Sequence, residues 1–298
     1  MSRAAFAALV GRPSAGKSTL LNALCGHKVS IVSPAPQTTR NAVRGILNRP
    51  EGQIVFIDTP GRHNSLKKFN KKLTEVSGKA MQDADIILYV LDASRAPGPE
   101  EAEIAAQAAP RAERSIAALS KQDARGADLE RARAFIAEKI PALPVERVIP
   151  VSGLKREGLD ALSAALFRLA PEGEPFYPAD CYTDQELPFR VAEIIREQAM
   201  LRLREELPHA IYVETADLEL RPGPAGETLW VRAFIVTERE SQKGMVVGKG
   251  GAMIKKIRLA ALAELRPLFD WHIDLDLRVK CSKDWRANDA VLRGMFRG

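Results

Sequence analysis

The sequence predicts an α/β domain built on a largely parallel sheet, followed by a smaller α+β domain. Three observations predict it. Through residues 1–170, short apolar runs alternate with helical stretches, the pattern of crossover helices around a parallel sheet. The segment Pro171-Glu172-Gly173-Glu174-Pro175-Phe176-Tyr177-Pro178 then breaks the alternation, since such a run cannot continue a helix. Beyond it the order becomes helix, strand, strand, helix, strand. The expected division is a first domain over 1–170, a semi-rigid linker over 171–184, and a second domain with a C-terminal tail over 185–298.

Each element has a local reason. Phe6–Val10, Ile54–Ile57, Ile86–Leu91, Ile116–Leu119 and Val148–Val151 are apolar runs of strand length that end at loops. Ser18–Cys25, Asp128–Ile140 and Leu159–Leu169 carry helical periodicity. In the second half, Val191, Ile194, Ile195, Gln198 and Leu201 mark one side of a helix. Ala210–Leu220 and Thr228–Val236 alternate as strands around the turn Arg221-Pro222-Gly223-Pro224. A helix over Ala252–Leu265 and a strand over Ile273–Lys280 complete the domain.

Two glycine loops carry the chemistry. Gly11-Arg12-Pro13-Ser14-Ala15-Gly16-Lys17-Ser18 fits G-x-x-x-x-G-K-S between a strand and a helix. Its backbone N–H groups and the helix N-terminus suit phosphate oxygens, with Lys17 reaching the β- and γ-phosphates and Ser18 a Mg²⁺ ion. Asp58-Thr59-Pro60-Gly61 follows the second strand. There a carboxylate can hold Mg²⁺ through water, and the Gly61 N–H can sense the γ-phosphate; Arg62 comes next. Ser33–Arg40 lies between these elements and is expected to order around the γ-phosphate, with one of its two threonines, Thr39 in preference to Thr38, completing the metal shell. Ser120-Lys121-Gln122-Asp123 follows the fourth strand. Asp123 can accept both donors on the guanine edge as a bidentate pair, and the Lys121 stem can cover the base. Ser152-Gly153-Leu154 can offer backbone N–H groups to the guanine carbonyl. Alone, S-K-Q-D reads equally well as a surface turn; its position at a strand end favours the guanine reading.

The second loop, Gly248-Lys249-Gly250-Gly251, is a G-x-x-G leading into a basic helix. Glycines there let the chain approach a single-stranded RNA backbone, and Lys249, Lys255, Lys256 and Arg258 add charge. The net charge of +6 is uneven. Residues 1–170 hold 25 Lys+Arg against 17 Asp+Glu, whereas residues 171–298 hold 19 against 21. Positive charge in the second half gathers in Arg239–Arg258 and Arg278–Arg297, which should confine nucleic acid to those stripes. Met245, Val246, Val247, Ile254 and Ile257 serve as core or as a groove floor. Trp285, beside Lys283 and Arg286, could stack on a base or anchor the tail, and anchoring is the expectation.

The three cysteines, Cys25, Cys181 and Cys281, lack C-x-x-C spacing and argue for a reducing compartment, the cytoplasm. No apolar run reaches bilayer-spanning length. The chain enters its first strand and glycine loop so early that no room is expected for a signal peptide.

GRPSAGKSTLLNAL from Gly11, QTTRNAVRGI from Gln37 and DTPG from Asp58 resemble translation-factor-type GTPases. EIIREQ from Glu193, ELPHAIYVE from Glu206, VVGKGGAMIKKI from Val246 and VKCSKDWR from Val279 narrow the resemblance to the Era family over nearly the whole chain. It implies a P-loop GTPase domain with a mostly parallel sheet, followed by a type II KH domain. It also implies GTP/GDP and Mg²⁺ as cofactors and a hydrolytic cycle carried by Lys17, Thr39 and Gly61. Slow turnover, accelerated by RNA or the ribosome, is expected. The implied partners are small-subunit ribosomal RNA near its 3′ end and the small ribosomal subunit, in whose assembly the protein would assist. A monomer, with peripheral contact at the inner face of the cell membrane, is expected. Three positions depart from the family pattern: Ser14 and Ser120 stand where the family has Asn, and Arg258 where it has Gly. Ser14 bears on stimulation by potassium and Ser120 on nucleotide affinity. The residue after Gly61 is Arg62 rather than a water-orienting Gln. A GTP-binding RNA chaperone with little turnover is therefore the competing reading, and an ATPase a more distant one opposed by Asp123.

Overall fold

The computed structural model describes residues 2–35, 38–60, 78, 80–223, 226–288 and 291–292. The chain divides into two compact units, Met1–Val32 with Thr39–Asp184, and Ser33–Thr38 with Gln185–Arg297.

The first unit is a six-stranded sheet of order β2-β3-β1-β4-β5-β6. Its strands are β1 (Arg3–Val10), β2 (Val43–Arg49), β3 (Gly52–Asp58), β4 (Ile86–Asp92), β5 (Ser115–Ser120) and β6 (Val148–Pro150). All pairs are parallel except β2 with β3. Every residue of β4 and β5 is buried, because crossover helices cover both faces. That double burial is why these strands read as continuous apolar runs. On one face Ala8, Ile87, Tyr89, Leu91 and Leu119 pack with α2 (Pro99–Ala108) and α3 (Leu129–Lys139). α1 (Lys17–Cys25) and α4 (Leu159–Leu169) pack against other parts of the sheet and each other. Left-handed glycines bound α1 at both ends, Gly16 at φ 97° and Gly26 at φ 73°.

The interval expected to be a linker is strapped to this unit. Pro171 O accepts from Ala4 N at 3.1 Å and Gly173 N donates to Ser2 O at 3.0 Å. Tyr182 O accepts from Ile46 N at 2.9 Å, so the strap covers the free edge of β2. The Gln53 side chain holds Phe176 N, Tyr177 N and Tyr177 O.

The second unit is a three-stranded sheet of order β7-β8-β9. β7 (Ile211–Gly223) and β8 (Gly226–Thr237) are antiparallel; β8 and β9 (His272–Cys281) are parallel. A parallel pair needs a crossover. Here it is α7 (Glu240–Val247), the glycine loop and α8 (Ala252–Leu265). Leu229, Val231, Ala233 and Ile235 point from β8 into a core shared with α5 (Leu187–Met200) and α8; the short α6 (Leu207–Ala210) leads into β7. Trp230, Arg232 and Phe234 take the opposite register.

Four expectations need correction. Strand β2, helix α2 and helix α7 were not foreseen, so the second unit's crossover holds two helices rather than one. Arg221–Gly223 belong to β7 rather than a turn, as Pro222 pairs with Glu227 and Gly223 with Gly226; Pro224 lies outside the described residues. Leu201 falls beyond the end of α5 and is exposed, because the helix stops at Met200. Residues 171–184, expected as a semi-rigid linker, group with the first unit.

Candidate nucleotide site and nucleic-acid interface

The motifs of the first unit meet at the carboxyl ends of β1, β3, β5 and β6, where ligands collect in such sheets. Gly11 leaves β1 with no room for a side chain, since a Cβ there would lie 2.5 Å from Val90 O. Ala15 is fully buried. Lys17 turns its ammonium onto the loop itself, donating to Gly11 O at 2.8 Å and Arg12 O at 3.0 Å. Burial lowers its pKa to about 8, and nearby Asp58 opposes that shift.

Asp58 ends β3 fully buried. Its Oδ2 accepts from Ser18 at 2.6 Å, Ser30 at 2.8 Å and Thr39 at 3.4 Å, and Ser18 Oγ lies 3.0 Å from Thr39 Oγ1. Burial pushes its carboxyl up, against Lys17 and the three hydroxyls. The other carboxylate oxygen, Oδ1, is buried with no hydrogen-bond partner. An orphaned carboxylate oxygen beside two hydroxyls is a hard oxygen set, which fits Mg²⁺ sharing its shell with phosphate and water. Ser18, Thr39 and Asp58, the three expected metal residues, are thus together. Thr59 faces the other way and pins β3 to β1 through Leu9 O at 2.7 Å. Pro60 is buried. Gly61, Arg62 and His63 lie outside the described residues, as do Pro36 and Gln37. Thr38 groups with the second unit, where Arg196 Nη2 donates to its carbonyl at 2.5 Å.

Ser120 donates to Ala15 O at 2.5 Å and sits 3.2 Å from Leu91 O. A single hydroxyl therefore ties the Ser120–Asp123 loop to the phosphate loop, although the second group of an amide is missing. Lys121, at φ 60°, places its ammonium 2.7 Å from Asp92 Oδ2. Asp92 ends β4 and also accepts from Ser94. Its burial raises the carboxyl pKa, but these hydrogen bonds outweigh it and the net shift is down. Arg12 bridges Asp92 at 3.3 Å and Glu101 at 2.5 Å. Pro13 is half-buried, and Ser14 is exposed at φ 61°, a left-handed conformation that Asn accepts more readily than Ser. Gln122 N donates to Val151 O at 3.3 Å; Asp123 is exposed. Ser152 is buried and its Oγ accepts from Lys155 N at 2.9 Å, Gly153 lies against the backbone of Thr19 and Leu20, and Leu154 is exposed.

Four contributors escaped the sequence reading: Asp92, Glu101, Ser30 and Asn22. Only Asp92 left a signal, as a carboxylate closing a wholly apolar strand.

The second glycine loop joins α7 to α8. Gly248, Gly250 and Gly251 hold φ of 74°, 58° and 77°. A Cβ on Gly248 would lie 2.7 Å from Met253 Cβ, whereas Gly250 and Gly251 face open space with no atom within 4 Å. Gly251 caps α8 without a side-chain bond, and the first N–H of the helix, that of Ala252, is taken by Lys249 O in the glycine-loop turn. Lys249, Lys255 and Lys256 are exposed, with no ion pair among the described residues. Arg258 lies over β9, donating to Leu275 O and standing 3.5 Å from Asp274. Met245 is exposed beside the loop; Val246 and Ile257 are core. Three of the four described basic residues of the second stripe are engaged within the unit: Arg278 with Asp276, Lys280 with Glu214 and Arg286 with Glu238. Arg293 and Arg297 lie outside the described residues. Trp285 is fully buried and donates to Ala210 O at 3.1 Å, as an anchor would.

Residues 6–121 match the family described as 50S ribosome-binding GTPase, and residues 206–286 match the KH domain. The GTPase Era of Treponema denticola is 48% identical over 96% of each chain. The chain belongs to the Era family of GTPases. GTPase Era of Borreliella burgdorferi strain B31 is 40% identical over 99% of each chain. Among solved structures, Era in complex with MgGDPNP and nucleotides 1506–1542 of 16S ribosomal RNA is 36% identical, with a TM-score of 0.92 over 100% of this chain and 99% of that one. A single-substitution variant of Aquifex aeolicus Era bound to GDP.AlF4⁻ gives 0.91 at 36% identity, over 99% of each chain. An Era-family P-loop GTPase fold followed by a KH domain is what the motifs implied.

Proposed function

We propose that this Era-family protein binds GTP with Mg²⁺ and hydrolyses it, and that it binds small-subunit ribosomal RNA near its 3′ end during small-subunit assembly. The observation that carries the reading is the pair of Ser18 and Thr39 hydroxyls gathered on Asp58 Oδ2, with the other carboxylate oxygen, Oδ1, buried and without a hydrogen-bond partner. In this reading Lys17 leaves the Gly11 and Arg12 carbonyls to meet the β- and γ-phosphates. Ser18, Thr39 and Asp58 hold the metal, which neutralises phosphate charge when bound. Arg12 to Gly16 present backbone N–H groups to the phosphates, and Thr59 keeps the end of β3 in place. Asp123 accepts from the guanine N–H and amine, and the Ser152–Leu154 backbone meets the carbonyl. Gly248–Gly251 admits the RNA backbone, with Lys249, Lys255, Lys256 and Arg258 supplying charge.

A solved relative holding both MgGDPNP and nucleotides 1506–1542 of 16S ribosomal RNA supports combining the two sites in one protein. The reading carries with it a monomer in the cytoplasm, with peripheral contact at the inner membrane face. Among the described residues no helix is long and apolar enough to cross a membrane.

Single-turnover phosphate release from GTP, with and without a 3′-terminal small-subunit RNA fragment, tests the proposal. Slow release that quickens with the fragment is expected. No release in either condition would leave a GTP-binding RNA chaperone in its place.

A further inference from the structure

Three hydroxyls converge on Asp58 Oδ2, and two of them, Ser18 and Thr39, belong to the proposed metal set. The third, Ser30, has no role in it. Ser30 is buried just beyond α1, and its hydroxyl donates to Asp58 at 2.8 Å. Its backbone is fixed by one side chain. Asn22 Oδ1 accepts from Val29 N at 2.9 Å and from Ser30 N at 2.8 Å, while Asn22 Nδ2 donates to Ser30 O at 2.7 Å. Two donors on one atom and an acceptor on the other settle which way the amide points. Asn22 follows Ser18 by four residues on α1, so both project from the same face of the helix. The helix thus reaches Asp58 twice, directly through Ser18 and indirectly through Asn22 and Ser30.

We propose that Asn22 and Ser30 are positioning residues that lock the Asp58 carboxylate, keeping Oδ1 free and aimed for the metal. Ser18 and Thr39 must offer oxygen lone pairs to an arriving cation. Ser30 is not a candidate ligand, and the Asn22 grip holds its backbone, so its hydrogen bond to Oδ2 persists whatever the site contains. A carboxylate with one oxygen pinned presents the other in a single orientation, at less entropic cost on binding.

The inference rests on the Mg²⁺ reading, and one titration of the full chain separates the two. Binding of a fluorescent GDP analogue is followed against Mg²⁺ concentration, and its affinity is measured again in EDTA. The wild type should bind more tightly as Mg²⁺ rises. Ser30→Ala and Asn22→Ala should raise the half-saturating Mg²⁺ by about ten-fold or more, the size of a lost hydrogen bond to a charged group. Their affinity in EDTA should stay near that of the wild type, and Ser30→Thr should keep the wild-type response. An unchanged half-saturation, or an equal loss with and without Mg²⁺, overturns the proposal. If Ser30→Ala lowers the melting temperature sharply, the near-isosteric pair Ser30→Thr and Ser30→Val decides; equal half-saturations for these two overturn it. A wild type indifferent to Mg²⁺ removes the metal reading, and this inference with it.

Discussion

The two glycine loops use the same residue for opposite physical reasons. In the first, glycine serves the protein's own packing: Gly11 has the Val90 carbonyl where its side chain would be. Around it the site is already wired, with Lys17 on loop carbonyls, Ser120 on Ala15 O, and Arg12 and Lys121 on Asp92. In the second loop, Gly250 and Gly251 face nothing within 4 Å, and the lysines around them have no ion pair among the described residues. A wired site binds with little ordering cost. An open, charged site draws its affinity from the ligand's own charge and from released counterions. A side chain added at Gly11 should therefore damage the fold, whereas one added at Gly250 or Gly251 meets no atom and costs only the strain of a left-handed backbone.

The largest effect expected is at the open loop. Lys249→Asp combined with Gly250→Asp reverses the charge where an RNA backbone would approach. Single-stranded RNA affinity should fall by at least about a hundred-fold, while GTP affinity stays unchanged. Unchanged RNA affinity in a filter-binding assay would remove the RNA assignment. Gly11→Ala breaks the comparison from the other side. Its methyl group has to displace the β4 backbone, and overpacking of this kind costs about 1–3 kcal/mol. Denaturant unfolding should register that loss together with weaker nucleotide binding. A stable Gly11→Ala protein would mean that the first loop is as open as the second.

Ser120→Ala probes the wiring itself. It leaves the buried Ala15 carbonyl without its 2.5 Å donor, a loss of about 1–3 kcal/mol. If the hydroxyl orders the phosphate loop, that loss should appear in GDP affinity. Ser120→Asn, which restores an amide, should recover it. Equal affinity in all three proteins would mean that Ser120 does not order the loop.

The same contrast explains what the sequence revealed. Backbone-driven features were legible: both glycine loops were visible, and the helices Leu159–Leu169 and Ala252–Leu265 start and end where expected because Gly158 and Gly251 mark their beginnings. Strands β4 and β5 announced themselves because both of their faces are covered. Strand β2 did not, because Val43–Arg49 mixes Arg, Gly and Asn, and its conformation is set by pairing with β3 on one side and the strap on the other. Helix α7 was hidden by the interior Gly244 and by a short sequence without a strong apolar stripe. The wiring was the least legible part. Asp92, Glu101 and Ser30 reach the phosphate loop or Asp58 from distant parts of the chain, and no local spacing ties them to either.

The smallest expected effect tests the open loop most finely. Lys255 and Lys256 lie at the end of the first turn of α8, exposed and without ion pairs among the described residues, so each can meet one phosphate. Truncating either to Ala should weaken RNA binding modestly and uniformly across sequences. It should also make the slope of log K against log salt shallower by about one for each lysine removed. Arg258 gives the contrast, because its guanidinium already holds Leu275 O and stands near Asp274. Arg258→Ala should alter the salt slope less than either lysine and lower the melting temperature more. Identical salt slopes for all three variants would mean that pairing within the fold does not divide binding charges from structural ones on this helix.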